Sequence, residues 1–461
     1  MSMQNKVKSK KNIMVSVISL GCPKNLVDSE LILGKLGEEG YTLTSSWQLA
    51  DIIIINTCSF INAARKESYD FISKISGQKS PHQRLIVCGC LPQLEKRKLF
   101  FKFPQINALL GTSDFYMIDK IVEDIFVKEE RIFSVSEPRF IYNSNFPRLV
   151  STPPGYAYLK IAEGCSNRCS YCLIPRLRGN FRSREVNDVV KEAENLVRMG
   201  VKELILTAQD TTFYGQDRGE KSYLLLLLEK LEKIKGIEWI RLLYLHPLHF
   251  DFGLIQVMKN SSKICRYLDI PLQHTHDEIL KLMKRPPFEV SLRIIDKVRE
   301  AFPEVAVRTS LMVGFPGEKE HHFEKLLKDV ERLQFDWVGV FTYSREKYTP
   351  AFSLPHQVPS QVKEKRKEII LKVQKLITVE KNLKRIGKTY PVMVDFANSR
   401  LKEGEGHTFF QAPEIDGKIF FAGYYSEGDI FQGKVKEVKD GFDLYVLRIK
   451  DGFDKDKQER I

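Results

Sequence analysis

Long apolar segments are missing from this sequence of 461 residues. The longest candidates, Ile52 to Ile55 and Leu224 to Leu228, fall far short of the ~18 residues that a membrane-spanning helix needs. Internal repeats and low-complexity segments are also missing. The sequence therefore predicts that the chain does not cross a membrane.

A cleavable secretory signal is missing as well, although the N-terminus imitates one. No small-residue cleavage site precedes Cys22, and the alternation from Met14 to Leu20 is typical of a short strand. We therefore expect a cytoplasmic protein. The imitation comes from four lysines ahead of the apolar stretch, namely Lys6, Lys8, Lys10 and Lys11.

The composition is that of a globular protein, because 43% of the residues are apolar and 28% are charged. The length exceeds the roughly 250 to 300 residues at which a single core stops growing, so we expect two or three domains rather than a small disulfide-stapled scaffold. The net charge of +13 suggests an anionic partner. Residues 1–150 carry +5 and residues 151–382 carry +8, whereas residues 383–461 hold 14 basic and 14 acidic side chains and are neutral.

The pattern of strands and helices predicts three domains. Residues 12–130 alternate short apolar runs with helical stretches, which favours an α/β domain with a parallel sheet. The proline-rich stretch Ser134 to Pro154 is typical of a linker. Residues 151–382 contain six further strand-and-helix units, which predict a partial or complete βα barrel that ends in a long helix over residues 360–386. Residues 383–453 contain short strands and glycine turns, which predict a small all-β barrel.

Three cysteines, Cys165, Cys169 and Cys172, lie in one short loop directly after a predicted strand. Three thiolates alone cannot complete a tetrahedral zinc site. They can hold three irons of a four-iron four-sulfur cluster and leave the fourth iron open for chemistry. The alternative is a chance grouping or a zinc knuckle, which would need a fourth ligand nearby.

This Cys-x3-Cys-x2-Cys loop resembles that of the radical S-adenosylmethionine superfamily. The resemblance implies that the open iron binds the amino and carboxylate groups of S-adenosylmethionine. An electron from the cluster then cleaves the cofactor to methionine and a 5′-deoxyadenosyl radical.

A second set of cysteines follows the first strands of the N-terminal domain. Cys22, Cys58 and either Cys88 or Cys90 each come after an apolar run. Because the carboxyl ends of parallel strands meet at one edge of a sheet, we expect a second three-thiol site there. The alternative is that these are inert buried cysteines.

The segments around these cysteines resemble the motifs of the methylthiotransferases, and the resemblance spans the whole chain. It implies a second four-iron four-sulfur cluster on Cys22, Cys58 and Cys90, and a C-terminal barrel of the TRAM type. Cys88 and Cys90 would point to the same face of one strand, so either thiol could reach iron. We interpret the remaining cysteine, Cys265, as a buried thiol on a strand. The motifs are Gly21 to Glu30, Asn56 to Ile61 and Gly89 to Gln93.

Other segments, including 153–165 and 412–417, resemble the branch that modifies a ribosomal protein. That resemblance implies transfer of a methylthio group to the β-carbon of an aspartate in small-subunit ribosomal protein twelve. An electron-donating reductant is implied as a partner, and the ribosome is a further candidate. A neutral C-terminal domain fits a basic protein partner better than RNA. The acidic residues behind this argument are Glu403, Glu405, Glu414, Asp416, Glu427 and Asp429.

Three rival functions remain open. A transfer-RNA adenosine methylthiotransferase would share every cluster residue. A non-catalytic iron-sulfur protein would not need the barrel, and a zinc-binding protein would lack the colour of iron-sulfur clusters.

Several polar residues at predicted strand ends are candidate contacts for S-adenosylmethionine. No catalytic residue beyond the cofactors is assigned. A basic run beside the cluster loop, Arg176 to Arg184, could hold a carboxylate or could be a solvated loop. The candidates at strand ends are Gln209 and Asp210. Residues 308–318 resemble the superfamily's glycine-bearing segment near the adenosyl group, which implies Arg308 and Gly314 as further contacts, and Tyr171 is the aromatic residue before the last cysteine of the loop.

Overall fold

The computed structural model describes residues 10–127, 130–219 and 223–449. Lys6 and Lys8 of the basic N-terminus lie outside the described residues, as do positions 450–453 of the predicted C-terminal domain. Among the described helices, none combines the length and apolar character required to span a bilayer.

The N-terminal part is a six-stranded parallel sheet with the order β2-β1-β3-β4-β5-β6, which confirms the predicted α/β class. Residues Ile52 to Ile55 are fully buried, as expected for a strand that is covered on both faces. The strands are β1 (Met14–Ser19), β2 (Thr42–Leu43), β3 (Ile52–Thr57), β4 (Arg84–Gly89), β5 (Ala108–Leu110) and β6 (Ile132–Ser134). The helices are α1 (Pro23–Glu38), α2 (Asn62–Gln78), α3 (Cys90–Glu95), α4 (Lys98–Lys102) and α5 (Ile118–Val127).

The predicted linker is wrong in two respects. Ser134 is the last residue of β6, which pairs with β5, so the sheet extends into the segment that was expected to be a linker. The rest of that segment packs on α1 through Arg148, whose guanidinium pairs with Glu30 at 2.6 Å. The connection is therefore part of the contact between the N-terminal sheet and the next domain.

The central part is a second six-stranded parallel sheet with the order β14-β13-β12-β11-β10-β7, and a two-stranded β8-β9 pair lies beside it. All six predicted barrel strands are present. The strands are β7 (Tyr156–Lys160), β8 (Ala162–Glu163), β9 (Arg182–Ser183), β10 (Glu203–Thr207), β11 (Trp239–Leu242), β12 (Ile264–Asp269), β13 (Ala306–Val313) and β14 (Trp337–Thr342). The helices are α6 (Ile174–Arg178), α7 (Val186–Arg198), α8 (Tyr223–Glu232), α9 (Gly253–Asn260), α10 (Asp277–Met283), α11 (Phe288–Ala301), α12 (Glu320–Leu333) and α13 (Ser360–Leu383).

No pairing joins β14 to β7 in the described residues, so the barrel is partial and open on one side. Side chains alternate along its strands. In β13, Val307 and Leu311 pack into the core between the sheet and the helices, whereas Arg308 lies on the opposite, concave face and meets the C-terminal domain. We call the space inside the concave face the lumen.

The C-terminal part is a closed five-stranded barrel, as predicted. One strand, β16, was missed because the sequence Glu-Gly-Glu-Gly-His has little β-propensity. A Cβ added to Gly406 would lie 2.1 Å from the Met393 carbonyl oxygen, so the close contact between β15 and β16 requires glycine there. The strands are β15 (Thr389–Asn398), β16 (Glu403–His407), β17 (Ile419–Ala422), β18 (Ile430–Lys439) and β19 (Asp443–Arg448).

The segment that follows β16, residues 408–416, inserts into the lumen, and we call it the strap. The guanidinium of Arg241 donates to the carbonyl oxygens of Phe409 (2.7 Å) and Thr408 (3.2 Å). The indole of Trp337 donates to the Phe410 carbonyl oxygen at 2.7 Å. The strap therefore satisfies buried polar groups of the barrel that would otherwise lack partners.

The strap also corrects the interpretation of the acidic surface. Asp416 is buried between the Tyr267 hydroxyl, 2.8 Å away, and Arg308, 3.3 Å away. Glu414 accepts a hydrogen bond from the Tyr158 hydroxyl at 3.3 Å. Asp416 therefore serves the contact with the barrel and is withdrawn from any acidic face for an external partner, whereas Glu414 stays exposed.

Candidate active site between the N-terminal sheet and the barrel

The N-terminal cysteines meet at the carboxyl ends of β1, β3 and β4. Cys22 is the N-cap residue of α1, Cys58 follows β3, and Cys90 begins α3. Burial raises the pKa of the Cys58 thiol, and the neighbouring Cys22 raises it further. A Cβ added to Gly21 would lie 3.0 Å from Cys58 Sγ, which shows how closely the first two motifs pack.

The expectation that Cys88 and Cys90 share one strand face is wrong. Strand β4 ends at Gly89, whose φ of +92° turns the chain, and Cys90 begins a helix. Cys88 packs in the apolar core of the sheet, where burial raises its pKa. Burial raises the pKa of Cys90 to about 12, Arg178 lowers it, and Cys58 and Cys22 raise it. Cys90 therefore belongs to the group and Cys88 to the core.

Asn25 joins the N-terminal motifs. Its amide nitrogen donates to the Leu20 carbonyl oxygen at 2.9 Å and to the Thr57 carbonyl oxygen at 3.0 Å, while its oxygen lies 4.0 Å from Cys90 Sγ. The Ser59 hydroxyl donates to the Cys90 carbonyl oxygen at 2.9 Å. These bonds hold the three strand ends together, so the trio depends on the folded sheet.

Cys165, Cys169 and Cys172 lie on the loop after β8, and we call them the barrel trio. We call Cys22, Cys58 and Cys90 the N-terminal trio. The loop is fixed at both ends: Cys165 N donates to the Gly179 carbonyl oxygen at 3.0 Å, and the Ser170 hydroxyl donates to the Leu282 carbonyl oxygen at 2.7 Å. Burial raises the pKa of Cys165 to about 11, and burial and Cys169 raise that of Cys172. Thiols with raised pKa values become thiolates only where a cation compensates the charge.

The spacing of the sulfur atoms tests what each trio can hold. In the described residues, no group containing a cysteine has all its donor atoms within 4.8 Å of one another. Two sulfurs on one zinc ion, with bonds of about 2.3 Å, cannot be more than ~4.6 Å apart. The three thiols of each trio, as they stand, are therefore too far apart to bind one zinc ion together.

The two trios face each other across the contact between the N-terminal sheet and the barrel. Cys90 of one trio packs with Leu173, the residue after Cys172, and with Leu177. The Thr112 hydroxyl donates to the Leu177 carbonyl oxygen at 2.6 Å. Helix α6 therefore begins at one trio and contacts the other.

A buried ionic network connects the same two regions. Arg178 pairs with Asp28 and with Glu163, both at 3.0 Å, and donates to the Asn25 side-chain oxygen. Lys160 pairs with Glu163 at 2.8 Å and with Asp28. All four charged side chains are at most 8% exposed. Burial raises the pKa of Glu163, but Arg178 and Lys160 outweigh it and lower the pKa well below its usual value.

The basic run beside the cluster loop is largely engaged within the protein. Arg178 belongs to the network, and Arg184 pairs with Asp188 at 2.7 Å and with Glu192. The Arg176 guanidinium lies 4.1 Å from the centre of the Tyr348 ring. The interpretation of the run as a solvated loop is wrong for Arg178 and Arg184, which are buried.

The candidate cofactor contacts occupy different environments. Gln209 donates to Glu163 at 3.0 Å, and its buried side-chain oxygen has no hydrogen-bond partner among the residues that the structure describes. Asp210 accepts from Asn167 and lies 2.7 Å from His249 Nδ1, so it fixes loops around the barrel trio. The pKa of the Tyr171 hydroxyl is raised by burial and by Cys169.

Arg308 and Gly314 are occupied by protein contacts. Arg308 pairs with Asp269 at 2.9 Å and with Asp416 of the strap. Gly314 has a φ of +72°, and an added Cβ would lie 2.2 Å from Lys363 Cγ. Glycine is thus required at position 314 by the packing of α13, whether or not a ligand approaches it.

No sequence pattern assigned a role to three residues of this site. Glu163 centres the network, and Lys24 is buried beside Cys22. His246 lies near Asp210, with its Nε2 atom buried and without a partner in the described residues. A lysine and a glutamate next to motif cysteines could have been noted, but their burial follows from the docking of the two domains.

Comparison with known proteins identifies the family of this chain. The model of the radical SAM superfamily matches residues 159–330, and that of the uncharacterized protein family UPF0004 matches residues 14–111. Ribosomal protein uS12 methylthiotransferases RimO from Trichlorobacter lovleyi and Caldicellulosiruptor saccharolyticus are 45% and 44% identical over 407 and 408 residues. These alignments cover 87% and 88% of this chain and 91% and 92% of the relatives.

The chain belongs to the RimO family of methylthiotransferases. Membership confirms the predicted radical SAM methylthiotransferase. A solved structure of the radical S-adenosylmethionine methyltransferase TsrM from Kitasatospora setae has a TM-score of 0.57 and 16% identity, and the match covers 75% of this chain and 77% of that one. At that identity the likeness concerns the fold alone.

Proposed function

We propose that this RimO-family protein transfers a methylthio group to the β-carbon of an aspartate in ribosomal protein uS12. The observation that carries the proposal is the placement of two three-thiol groups on either side of one domain contact, bridged by α6 and by the buried network. RimO relatives that match nearly the whole chain are named for this reaction. The three rival functions named above receive no comparable support.

We propose that Cys165, Cys169 and Cys172 hold one four-iron four-sulfur cluster and that Cys22, Cys58 and Cys90 hold a second. When bound, the first cluster supplies the electron that cleaves S-adenosylmethionine, and the second supplies the sulfur. The protein contributes placement, because two reactive groups held at a short separation react far faster than free ones. The contact between Cys90 and α6 provides that placement here.

The residues around the N-terminal trio balance its charge. The N-terminal end of α1 lies at Cys22, and Arg178 lies beside Cys90 and Cys22, so both favour thiolates there. Within the described part of the chain, the buried side-chain oxygen of Gln209 lacks a partner and can accept from a ligand amino group, which supports Gln209 as a cofactor contact. Tyr171, Asp210, Arg308 and Gly314 stay predictions. A reductant, the ribosome and a cytoplasmic location also remain proposals.

The test compares a deletion strain with its complemented parent. Mass spectrometry of uS12 and of transfer RNA should show loss of the methylthio group from the aspartate of uS12 and unchanged transfer RNA. Unmodified adenosine with intact uS12 would instead assign the protein to transfer RNA.

A further inference from the structure

We propose that Lys24 binds the side-chain carboxylate of the substrate aspartate, so that its ammonium group selects aspartate at this site. The proposal rests on the proposed function and deepens it by naming the residue that recognises the target side chain. Lys24 lies two residues after Cys22, in the first turn of α1.

The environment of Lys24 is unusual for a lysine. The residue is 7% exposed, yet no hydrogen bond or ion pair to its ammonium group is found in residues 10–127, 130–219 and 223–449. Its contact there is with Tyr244, whose ring centre lies 3.5 Å from Nζ. The stem of the side chain is buried while the Nζ atom keeps some contact with solvent, so an acidic ligand can reach the ammonium group.

The position of Tyr244 places this ammonium at the mouth of the lumen. Tyr244 follows the carboxyl end of β11, the end of the barrel at which ligands bind. Its carbonyl oxygen accepts from Thr211 N, next to Asp210, at 3.0 Å. Lys24 therefore reaches from the N-terminal sheet into the end of the barrel that carries Gln209 and Asp210.

The neighbouring carboxylates are already paired. Asp269 accepts from Tyr244 N at 3.0 Å and is paired with Arg308. Asp28, one turn further along α1, is paired with Arg178 and Lys160. The positive charge of Lys24 is therefore left for a ligand.

A non-reacting charge that holds the aspartate would position its β-carbon between the two trios. Lys24 is attached to the helix that begins at Cys22, so the target side chain would be held by the same element that presents one thiol. An adenine base offers no carboxylate to this group. The lysine would then favour a protein substrate over transfer RNA.

The test is a double-mutant cycle on anaerobically reconstituted holoenzyme. The enzymes are wild type, Lys24→Met and Lys24→Arg, and the ligands are a uS12 peptide with the target aspartate and the same peptide with asparagine. Both peptide affinity and kcat/KM for methylthiolation are measured. Lys35→Met on the same helix is the control, because Lys35 lies on the outer side with Glu39 and Asp119.

We expect Lys24→Met to weaken binding of the aspartyl peptide by roughly tenfold or more and to leave the asparaginyl peptide little changed. Lys24→Arg should keep the preference for aspartate, and Lys24→Met should cleave more S-adenosylmethionine per methylthio group transferred. Equal weakening of both peptides, or of neither, would overturn the proposal. Weaker binding of S-adenosylmethionine with an unchanged aspartate preference would also overturn it, because the lysine would then serve the methionine carboxylate.

Failure of the proposed function has a different signature. In that case the wild-type enzyme does not modify the aspartyl peptide at all. If the wild type modifies it and Lys24→Met does so equally well, only the role of Lys24 is wrong.

Discussion

The barrel trio and the N-terminal trio each present three thiols, but the chain segments that bring the thiols together differ greatly in length. Cys165, Cys169 and Cys172 occupy a single loop whose ends are fixed to the barrel. Cys22, Cys58 and Cys90 are brought together by three strand ends and the side chain of Asn25. The first site is local, whereas the second exists only when the parallel sheet has folded. The same perturbation should therefore affect the two sites differently.

The largest expected effect separates the two trios by their chemistry. Replacement of Cys165, Cys169 or Cys172 by alanine should abolish formation of 5′-deoxyadenosine. Replacement of Cys22, Cys58 or Cys90 should spare cofactor cleavage and stop sulfur transfer. Chromatography of 5′-deoxyadenosine and mass spectrometry of the modified peptide measure the two outcomes.

Cys88→Ala is the matched control, because Cys88 lies two residues from Cys90 in the core of the sheet. It should retain methylthiolation and the full iron content. If Cys88→Ala stops sulfur transfer and Cys90→Ala does not, the ligand assignment moves to Cys88.

The next largest effect is expected from loss of Arg178, which belongs to the buried ionic network between the trios. Arg178→Met leaves Asp28 and Glu163 buried with only Lys160 to neutralise them, so we expect a loss of about 3–5 kcal/mol in the free energy of unfolding. The N-terminal cluster should lose iron first, because Arg178 lies beside Cys90 and Cys22. Denaturant unfolding and iron analysis measure both quantities.

Arg139→Met provides the control for that loss. Arg139 pairs with Glu137 at 2.6 Å, but the two side chains are 80% and 71% exposed. Removal of this pair should change the free energy of unfolding by less than ~1 kcal/mol. Equal effects of the two arginines would contradict a central role for the network.

A matched pair of glycine substitutions should damage one trio at a time. At Gly89, an added Cβ would lie 2.3 Å from Asn56 Oδ1, and at Gly164 it would lie 2.2 Å from the Asn180 carbonyl oxygen. Both residues have positive φ, so alanine should destabilise each site by more than ~1 kcal/mol. Gly89→Ala should lower sulfur transfer selectively, and Gly164→Ala should lower cofactor cleavage.

Gly77→Ala in helix α2 is the control, since an added Cβ there meets nothing within 4 Å. Alanine should be neutral or stabilising at that helical position. If Gly89→Ala and Gly164→Ala each lost both clusters, the prediction that each variant damages one site would be wrong.

The smallest expected effect is a pH dependence of the stability of the folded protein, which comes from His407. Burial lowers the pKa of His407, but Asp395 and Glu203 outweigh it and raise the pKa to about 9. The stability from this charged histidine is complete below its unfolded pKa of about 6.5 and is lost as the pH rises through about 9. The melting temperature should therefore fall by a few degrees between about pH 7 and about pH 10.

His407→Gln should flatten that dependence above neutral pH without changing the ligands of either trio. An unchanged slope in this variant would mean that other groups cause the loss of stability. Differential scanning fluorimetry over the pH range is sufficient for the comparison.

The comparison of the two trios also shows how far the sequence could predict the site. The barrel trio could be identified from its loop alone, and all six barrel strands followed from their apolar runs. The family resemblance implied Cys90, whereas the strand pattern alone left Cys88 open, because the turn at Gly89 depends on contacts with Asn56 and Thr57. Strand β16 was hidden because its glycines are required by close strand packing rather than by β-propensity. The burial of Lys24 and Glu163 arises only when two domains dock.

The strap has a consequence for protein engineering. Its backbone carbonyls complete the hydrogen bonding of Arg241 and Trp337 inside the barrel, and its Asp416 carboxylate pairs with Arg308. Truncation before residue 383 would uncover these groups instead of yielding an independent catalytic fragment. An exchange of C-terminal barrels between relatives should succeed only when the graft includes the strap together with the lumen residues that it contacts.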